Sequence, residues 1–553
     1  MKKAAWCGGA AMMVAAAGVC SVPFMIGAGP TDAAPPVLRN PEGTVVSRAL
    51  TDAEKSFLAA NPDYFTRARS TTRGTPPTGP IECPAEYEPM AAIMMSWESF
   101  TTTLIELTKH ITTTGNADVY MIVDTASEQT TATTALTNAG VNMGRVKFFI
   151  RTTDTVWIRD YGPRYIYEGG VRAIVDHTYN RPRPNDDALS TWFGPQRGEQ
   201  VYDVGLTHGG GNYHLNGLDK SYCTELIKNE NIGLTEADIH ARWLAHQAVD
   251  THIFPAFPST LDSTQHLDMW MQVCADDKVM ISDWPVTGGN MTTADAICED
   301  AVVYMQNNGY TVSRVPARQV SGVHYTYTNV VMCNDLIIIP SYTNSTIASA
   351  GYNAQALASW QAANPSKTVV QVNGQAVVTS AGVFHCVVMH VPANKGGVNP
   401  VAYLRAPNGG QTFNPGDGVE ITWITDDDVA VTNVDLLLST DGGATYPITI
   451  ASATADDGSF TWIVPDYAVN HARVKVVARD AASNTGSDAS DADFAIAGTC
   501  PGDFDLSGFV DLEDYIAFVG AFEAGDISAD VDGTGFVDLE DFNSFVGWFE
   551  EGC

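Results

Sequence analysis

Four short motifs carry side chains that could do chemistry together: Trp157-Ile158-Arg159-Asp160, His266-Leu267-Asp268, Tyr342-Thr343-Asn344-Ser345 and Phe384-His385-Cys386. Two carboxylates, an imidazole and a thiol are the groups needed to cut a carbon–nitrogen bond of a guanidinium. Paired carboxylates hold the planar cation by charge-assisted hydrogen bonds. A thiolate attacks its central carbon and a histidine moves protons. Each motif alone has a plainer explanation. A lone Arg-Asp pair is a structural salt bridge. A His-x-Asp segment, with both polar residues on one face of an extended stretch, is a hydrogen-bonded core pair. The set as a whole points to catalysis. His208-Gly209-Gly210-Gly211-Asn212 lacks the Lys-Ser/Thr ending of a phosphate loop and reads as backbone that approaches the site closely.

The elements that must position these groups lie between residues 81 and 397. Buried strands such as Val119-Tyr120-Met121-Ile122-Val123, Val146-Lys147-Phe148-Phe149-Ile150 and Leu336-Ile337-Ile338-Ile339-Pro340 alternate with helical stretches from Phe100 to Thr114 and Ala354 to Asn364. That texture is α/β. From about 400 to 497 it becomes all-β: short strands around Trp423, Leu436, Trp462 and Val476 are separated by turns such as Thr440-Asp441-Gly442-Gly443, as in an immunoglobulin-like sandwich. Residues 35–80, rich in Pro, Thr and Arg, read as a propeptide or a flexible linker. The expected divisions are therefore 1–34, 35–80, 81–397, 398–498 and 499–553.

Bulk properties agree. A chain of 553 residues is too long for one core, and 45% hydrophobic with 17% charged residues is globular. A net charge of −34 argues against nucleic acid as a partner, because a phosphate backbone would be repelled. Lys2 and Lys3, an apolar stretch from about Ala10 to Met25, and small residues to Ala34 read as a secretory signal, so a secreted, cell-surface or periplasmic protein with no membrane span after cleavage is expected. Export permits disulfides, and Cys500 with Cys553 is a plausible pair.

The last segment repeats itself: Gly508-Phe509-Val510-Asp511-Leu512-Glu513-Asp514 recurs as Gly535-Phe536-Val537-Asp538-Leu539-Glu540-Asp541. Oxygen ligands with calcium-loop spacing fall at Asp503, Asp505, Ser507, Asp511 and Asp514, with the Phe509 carbonyl. The second set is Asp530, Asp532, Thr534, Asp538 and Asp541, with the Phe536 carbonyl. Structural Ca2+ is the expected ion. The pair resembles a type I dockerin, a small α-helical EF-hand pair, which implies a cohesin-like or surface partner. Where dockerins carry small hydroxyl residues, this chain has Leu512-Glu513 and Leu539-Glu540.

From Pro84-Ala85-Glu86-Tyr87 to just beyond Cys386 the motifs together resemble the guanidine-modifying, or pentein, enzymes. The likeness lies with the agmatine deiminase branch and, within it, the Porphyromonas-type peptidylarginine deiminases. The resemblance implies an α/β pseudo-fivefold propeller of ββαβ units and chemistry without a cofactor. It implies that Asp160 and Asp268 grip the guanidinium, His266 is the acid/base, Cys386 the nucleophile, Asn344 a positioning group and Trp157 a packing surface for substrate. Tyr179-Asn180-Arg181-Pro182-Arg183 looks like the peptidyl enzyme's loop, in which paired arginines bind a substrate's C-terminal carboxylate. The expected substrate is thus arginine in peptides or proteins, C-terminal preferred, converted to citrulline. A deiminase of agmatine or free arginine is the first alternative. A non-catalytic calcium-binding adhesion or scaffold protein is the second.

Overall fold

The computed structural model describes residues 35, 45–70, 74–466, 468–498, 500–505, 507 and 509–551. The secretory-signal reading, Gly508 and Cys553 fall outside them.

Five times, between residues 81 and 392, the chain makes two antiparallel strands, a helix and a strand parallel to the second. Arg164–Glu168 pairs antiparallel with Val171–Tyr179, and after the helix Leu189–Arg197 the chain returns as Gln200–His208, parallel to it. His214–Leu215, Lys220–Thr224 and Asp250–Phe254 repeat the pattern around the helix Glu236–Gln247. Met271–Ala275, Lys278–Asp283 and Thr311–Pro316 do so around Gly289–Asn307. Val331–Cys333, Leu336–Ser341 and Thr368–Asn373 do so around Tyr352–Ala363. The remaining unit joins both ends of this region: Met389–Pro392 pairs antiparallel with Met90–Ser96, which runs parallel to Asp118–Val123 after the helix Thr101–Thr113. Val146–Ile150 adds a further parallel strand.

The middle strands are covered on both faces, so they read as unbroken apolar runs. Leu336, Ile337, Ile338 and Ile339 are fully buried, as are Ile93, Met94 and Met95. Each such side chain contributes roughly 1.5–3 kcal/mol on burial, which fixes the strands that carry the site.

Beyond residue 400 the chain is β-rich. A three-stranded sheet of Val401–Ala406, Gly418–Asp426 and Ser459–Ile463 shares one core with a larger sheet built on Val431–Ser439 and Ala468–Asp480. Leu404, Ile421 and Trp423 from the first sheet meet Leu436, Val474 and Val476 from the second. This region is tied to the α/β part by Arg172, whose guanidinium grips Asp426 through two 2.7 Å hydrogen bonds. The two C-terminal helices, Leu512–Ala524 and Leu539–Glu551, pack through Phe518 stacked on Phe545.

One expectation fails here. Residues 45–70 are not a loose linker. They contain the helices Asp52–Ala60 and Tyr64–Ser70, and the first opens with a capping box in which Thr51 and Glu54 satisfy each other's backbone N–H. The composition of 35–80 hid this, because buried polar contacts of Arg48, Glu54 and the nearby backbone, not an apolar run, hold the segment in place.

Candidate active site

All five units contribute their lead-in segments, the few residues just before the first strand, to one buried centre. Asp160 lies on the short helix Ile158–Tyr161, ahead of Arg164–Glu168. Gly211 lies in the turn Gly210–Asn212 before His214. His266 is extended, and Asp268 follows in the turn Leu267–Met269 before Met271. Asn329 precedes Val331, and Cys386 lies in the turn His385–Val387 before Met389. The expected single extended face for His266 and Asp268 is instead a bend. The turn swings the carboxylate so that both groups address the same point.

At that point sits a guanidinium from the chain itself. Arg48 donates from Nε to Asp160 Oδ2 at 2.8 Å and from Nη2 to Asp160 Oδ1 at 2.7 Å. Asp268 accepts from Nη1 at 3.2 Å and from Nη2 at 3.1 Å. Nη1 is also 2.7 Å from Cys386 Sγ, and Nη2 is 2.7 Å from His266 Nδ1. An arginine offers only donors, so Nδ1 accepts and the ring proton sits on Nε2. Glycine at 211 is required by this arrangement: a Cβ there would lie 1.9 Å from Arg48 Nη2 and 2.6 Å from Asp268 Oδ2. Its backbone N–H donates to Asp160 Oδ1 at 3.1 Å. Gly382 leaves similar room, since a Cβ there would lie 3.0 Å from Cys386 Sγ.

The electrostatics follow from burial and pairing. Burial raises the Asp160 carboxyl, but the Arg48 charge and its hydrogen bonds outweigh it and hold it well below the usual range. Asp268, raised by burial, is pulled below the carboxylate range by Arg48 and by its hydrogen bond to His385. His266 is lowered by burial and then by Arg48, which leaves it neutral and able to take a proton. For Cys386 burial pushes the thiol well above its ordinary value. Arg48 draws it down, while Asp268 and Asp160 push it further up. The guanidinium in the site is thus what favours thiolate, and the surrounding carboxylates oppose it.

A second set of groups fixes the first. Asn329 Nδ2 donates to Cys386 Sγ at 3.1 Å, and Asn329 Oδ1 accepts from the His385 backbone N–H at 2.9 Å. His385 Nδ1 faces Asp268 Oδ2 at 3.0 Å, and its Nε2 faces Glu86 Oε1 at 2.9 Å. Arg159 Nη1 donates to the same Glu86 oxygen at 2.8 Å. Glu86, His214 and His385 also lie close enough to share a metal ion. Both His385 nitrogens are already committed to carboxylates, however, and Arg159 brings a cation to Glu86.

Asn344 does not join the site. Its Oδ1 caps the helix Ser345–Ser349, accepting from Thr346 N–H at 3.0 Å and Ile347 N–H at 3.3 Å. The asparagine that touches the sulfur is Asn329, the residue that stands where every other unit carries a site group. That shared position was the available signal. Trp157 is buried, and its indole Nε1 donates to the Val46 carbonyl at 2.8 Å, so it holds backbone next to Arg48.

Arg181 and Arg183 are 7% and 1% exposed, not a solvated turn. Arg181 Nε donates to the main-chain carbonyl of Arg48 at 3.2 Å. Arg183 pairs with the Glu54 carboxylate at 2.8 Å and donates to the Ser47 carbonyl at 2.9 Å. The arginine loop thus reads the backbone around a bound arginine and one carboxylate beyond it.

In the C-terminal repeat, carboxylates of Asp503, Asp505 and Asp514 cluster, as do those of Asp530, Asp532 and Asp541. Asp511 and Asp538 accept instead from the backbone N–H of Glu513 and Glu540, each at 2.9 Å, at the starts of the two helices. Ser507 Oγ donates to the Phe509 carbonyl at 3.3 Å, and Thr534 N–H donates to Asp532.

Two acidic grips, a neutral imidazole and a thiol around one guanidinium define a guanidinium-handling site on a five-unit α/β scaffold. The chain belongs to the Porphyromonas-type peptidyl-arginine deiminase family, whose model matches residues 82–392, more than half of the sequence. With it, the chain belongs among the guanidine-modifying hydrolases that act on C–N bonds. It is 24% identical to an agmatine deiminase of Ectopseudomonas mendocina over 290 residues, 44% of this chain and 76% of that one. The fold is that of the agmatine deiminase of Enterococcus faecalis (TM-score 0.50, 17% identity, 57% of this chain and 96% of the other). A candidate arginine deiminase from Porphyromonas gingivalis matches equally well (TM-score 0.50, 16% identity, 57% and 99%).

Proposed function

We propose that the protein is an exported peptidylarginine deiminase that converts peptide-borne arginine, C-terminal arginine preferred, to citrulline and ammonia. The observation that carries this reading is that Arg181 meets the main-chain carbonyl of an arginine whose guanidinium lies against Asp160, Asp268, His266 and Cys386. Agmatine has no such carbonyl and no carboxylate for Arg183.

The steps follow from the distances. The substrate cation favours Cys386 thiolate, which attacks the guanidinium carbon. The proton given up by the thiol is the one the leaving nitrogen needs. His266, neutral and 2.7 Å from Nη2, carries it. Ammonia leaves and a covalent thiouronium remains. His266 then takes a proton from water, whose oxygen replaces the lost nitrogen as the carbon–sulfur bond breaks. Asn329 holds the sulfur throughout.

The five units are read as a closed pseudo-fivefold ring, the β region as immunoglobulin-like and residues 499–553 as a dockerin-like module. Calcium fits the module's donor set, which is all oxygen and includes a buried, unpartnered Asp530 Oδ1. Asp503, Asp505 and Asp514 would hold one ion, and Asp530, Asp532 and Asp541 the other. Phe509 with Phe536 and Leu512 with Leu539 are exposed at matching places in the two repeats and, with the exposed Ile516, would face a cohesin-like or surface partner. Among the described residues no helix is long and apolar enough to cross a membrane. Export rests on residues 1–34 and on Cys500 being disulfide-bonded.

The name of the Ectopseudomonas relative favours agmatine as the alternative substrate. Incubating the protein with a peptide mixture and mapping citrulline by mass spectrometry separates the two. Conversion concentrated at C-terminal arginine supports the proposal, and conversion of added agmatine alone would overturn it.

A further inference from the structure

Arg48 meets every group that would turn an arginine over, and its backbone is held on both sides. Trp157 holds the Val46 carbonyl, the Ser380 carbonyl accepts from Arg48 N–H at 3.0 Å, Arg181 holds the Arg48 carbonyl and Arg183 holds Glu54. The guanidinium touches nucleophile and base at once, with 2.7 Å to Cys386 Sγ and 2.7 Å to His266 Nδ1. This is the contact set of a bound substrate, made by a tethered one. A tether of this kind keeps its arginine at an effective concentration on the order of millimolar.

We propose that Arg48 is a modification site: the chain deiminates its own Arg48 in cis, and the citrulline formed loosens the 45–60 segment and opens the site to other substrates. This rests on the deiminase reading above. The step balances. A Sγ–Cζ bond forms and the Cζ–Nη2 bond breaks, with the nitrogen leaving as ammonia on a proton from His266. Water oxygen then adds at Cζ as Cζ–Sγ breaks and the thiol is regained. No oxidant or reductant is involved.

The product fits worse than the reactant. A ureido group is neutral, so Asp160 and Asp268 lose their counter-charge. Where the new oxygen faces a carboxylate, an acceptor meets an acceptor. A buried carboxylate pair left without its cation is strongly destabilised. The segment's remaining anchors are the backbone contacts and the Glu54–Arg183 pair.

The experiment uses the full chain and tandem mass spectrometry of the peptide containing residue 48. The wild type should carry citrulline at 48, and Cys386→Ala should carry arginine. The Cys386→Ala chain, mixed with active Arg48→Ala chain, should keep arginine at 48, because its own site shelters the segment. Arg48→Lys, which keeps a cation against the two aspartates but offers no guanidinium carbon, should show low activity on an added arginyl peptide. Arg48→Ala should exceed it by tenfold or more.

If the Arg48→Ala chain converts added peptide while the wild type keeps arginine at 48, Arg48 is a fixed plug and self-modification is overturned, with the deiminase reading intact. If residue 48 of Cys386→Ala is converted in the mixture as fast as in the wild type, the cis claim is overturned. If no form converts any arginine, the deiminase reading itself fails.

Discussion

Arg183 and Glu54 form an ion pair in which neither side chain touches solvent, with Nε 2.8 Å from Oε1. Arg183 is the residue expected to hold a substrate's terminal carboxylate, and here an acidic side chain of the protein's own N-terminal segment fills that place. Breaking a buried pair by removing one partner costs roughly 3–5 kcal/mol. Glu54→Gln should therefore release the segment. Proteolysis within residues 45–70 should speed up, and KM for a peptide ending in arginine should fall while kcat stays the same. Unchanged proteolysis would show that the segment does not depend on this pair.

Acid should destabilise the protein in a defined window. The buried His177 and His390 imidazoles are pushed down to about 4 and His214 to about 3, in each case chiefly by burial, and His266 is lowered too. An unfolded histidine takes its proton near pH 6.5, so below about that pH the unfolded chain binds more protons and folding stability drops. Asp160, Asp268 and Glu54, held low by their arginine partners against burial, add to the loss with the same sign below about pH 4. Urea midpoints measured from pH 7 down to 4 should fall steadily, and a flat profile to pH 4.5 would contradict the buried neutral histidines.

Asn329 is expected to act through the sulfur. A hydrogen bond to a charged group is worth about 1.5–3 kcal/mol, so Asn329→Ala should lower kcat/KM by roughly 10–100-fold. Loss of the donor should also move the alkaline shift of thiol reactivity upward. Alkylation of Cys386 followed against pH, in the Arg48→Ala chain, reads this directly. An unmoved alkylation profile would leave Asn329 as structural support for the His385 backbone.

Calcium removal should separate two parts of the molecule. Ion binding to the folded loops alone adds RT ln(1 + [L]/Kd), about 2.7 kcal/mol at a hundredfold excess over Kd. Chelation should lower the melting transition of residues 500–551, and so should Asp503→Asn or Asp530→Asn, with citrulline production unchanged. Activity that vanished with chelator and returned only with calcium would contradict independent modules.

Much of this was legible in advance, for reasons that differ by residue. Asp160, His266, Asp268 and Cys386 stood out because together they form the group set that cuts a guanidinium C–N bond and because their motifs resemble those of the pentein enzymes, and the structure brings all four around one guanidinium. The strand runs around Ile122 and Ile338 were plain because strands covered on both faces are apolar throughout. Asn344 misled, since a helix cap and a positioning amide look the same in one sequence. Asn329 was missed because nothing near it in sequence is reactive, and only the fivefold repetition of lead-in segments marks it out. Arg48 was invisible for the opposite reason. It lies in a Pro- and Thr-rich stretch, and its partners, Asp160 and Asp268, are far away along the chain.

The central claim is that Cys386 attacks the guanidinium carbon of peptide arginine in a site that also reads the neighbouring backbone. The most direct measurement is citrulline release by the Arg48→Ala, Glu54→Gln chain, in which both the guanidinium place and Arg183 are freed, from three substrates: a peptide ending in arginine, the same peptide amidated, and agmatine. The account predicts the free acid as the best substrate, the amide poorer by roughly 10–100-fold through loss of one charge-assisted pair at Arg181 and Arg183, agmatine poorer still, and no product once Cys386→Ala is added. Preference for agmatine, or turnover that survives Cys386→Ala, would contradict it.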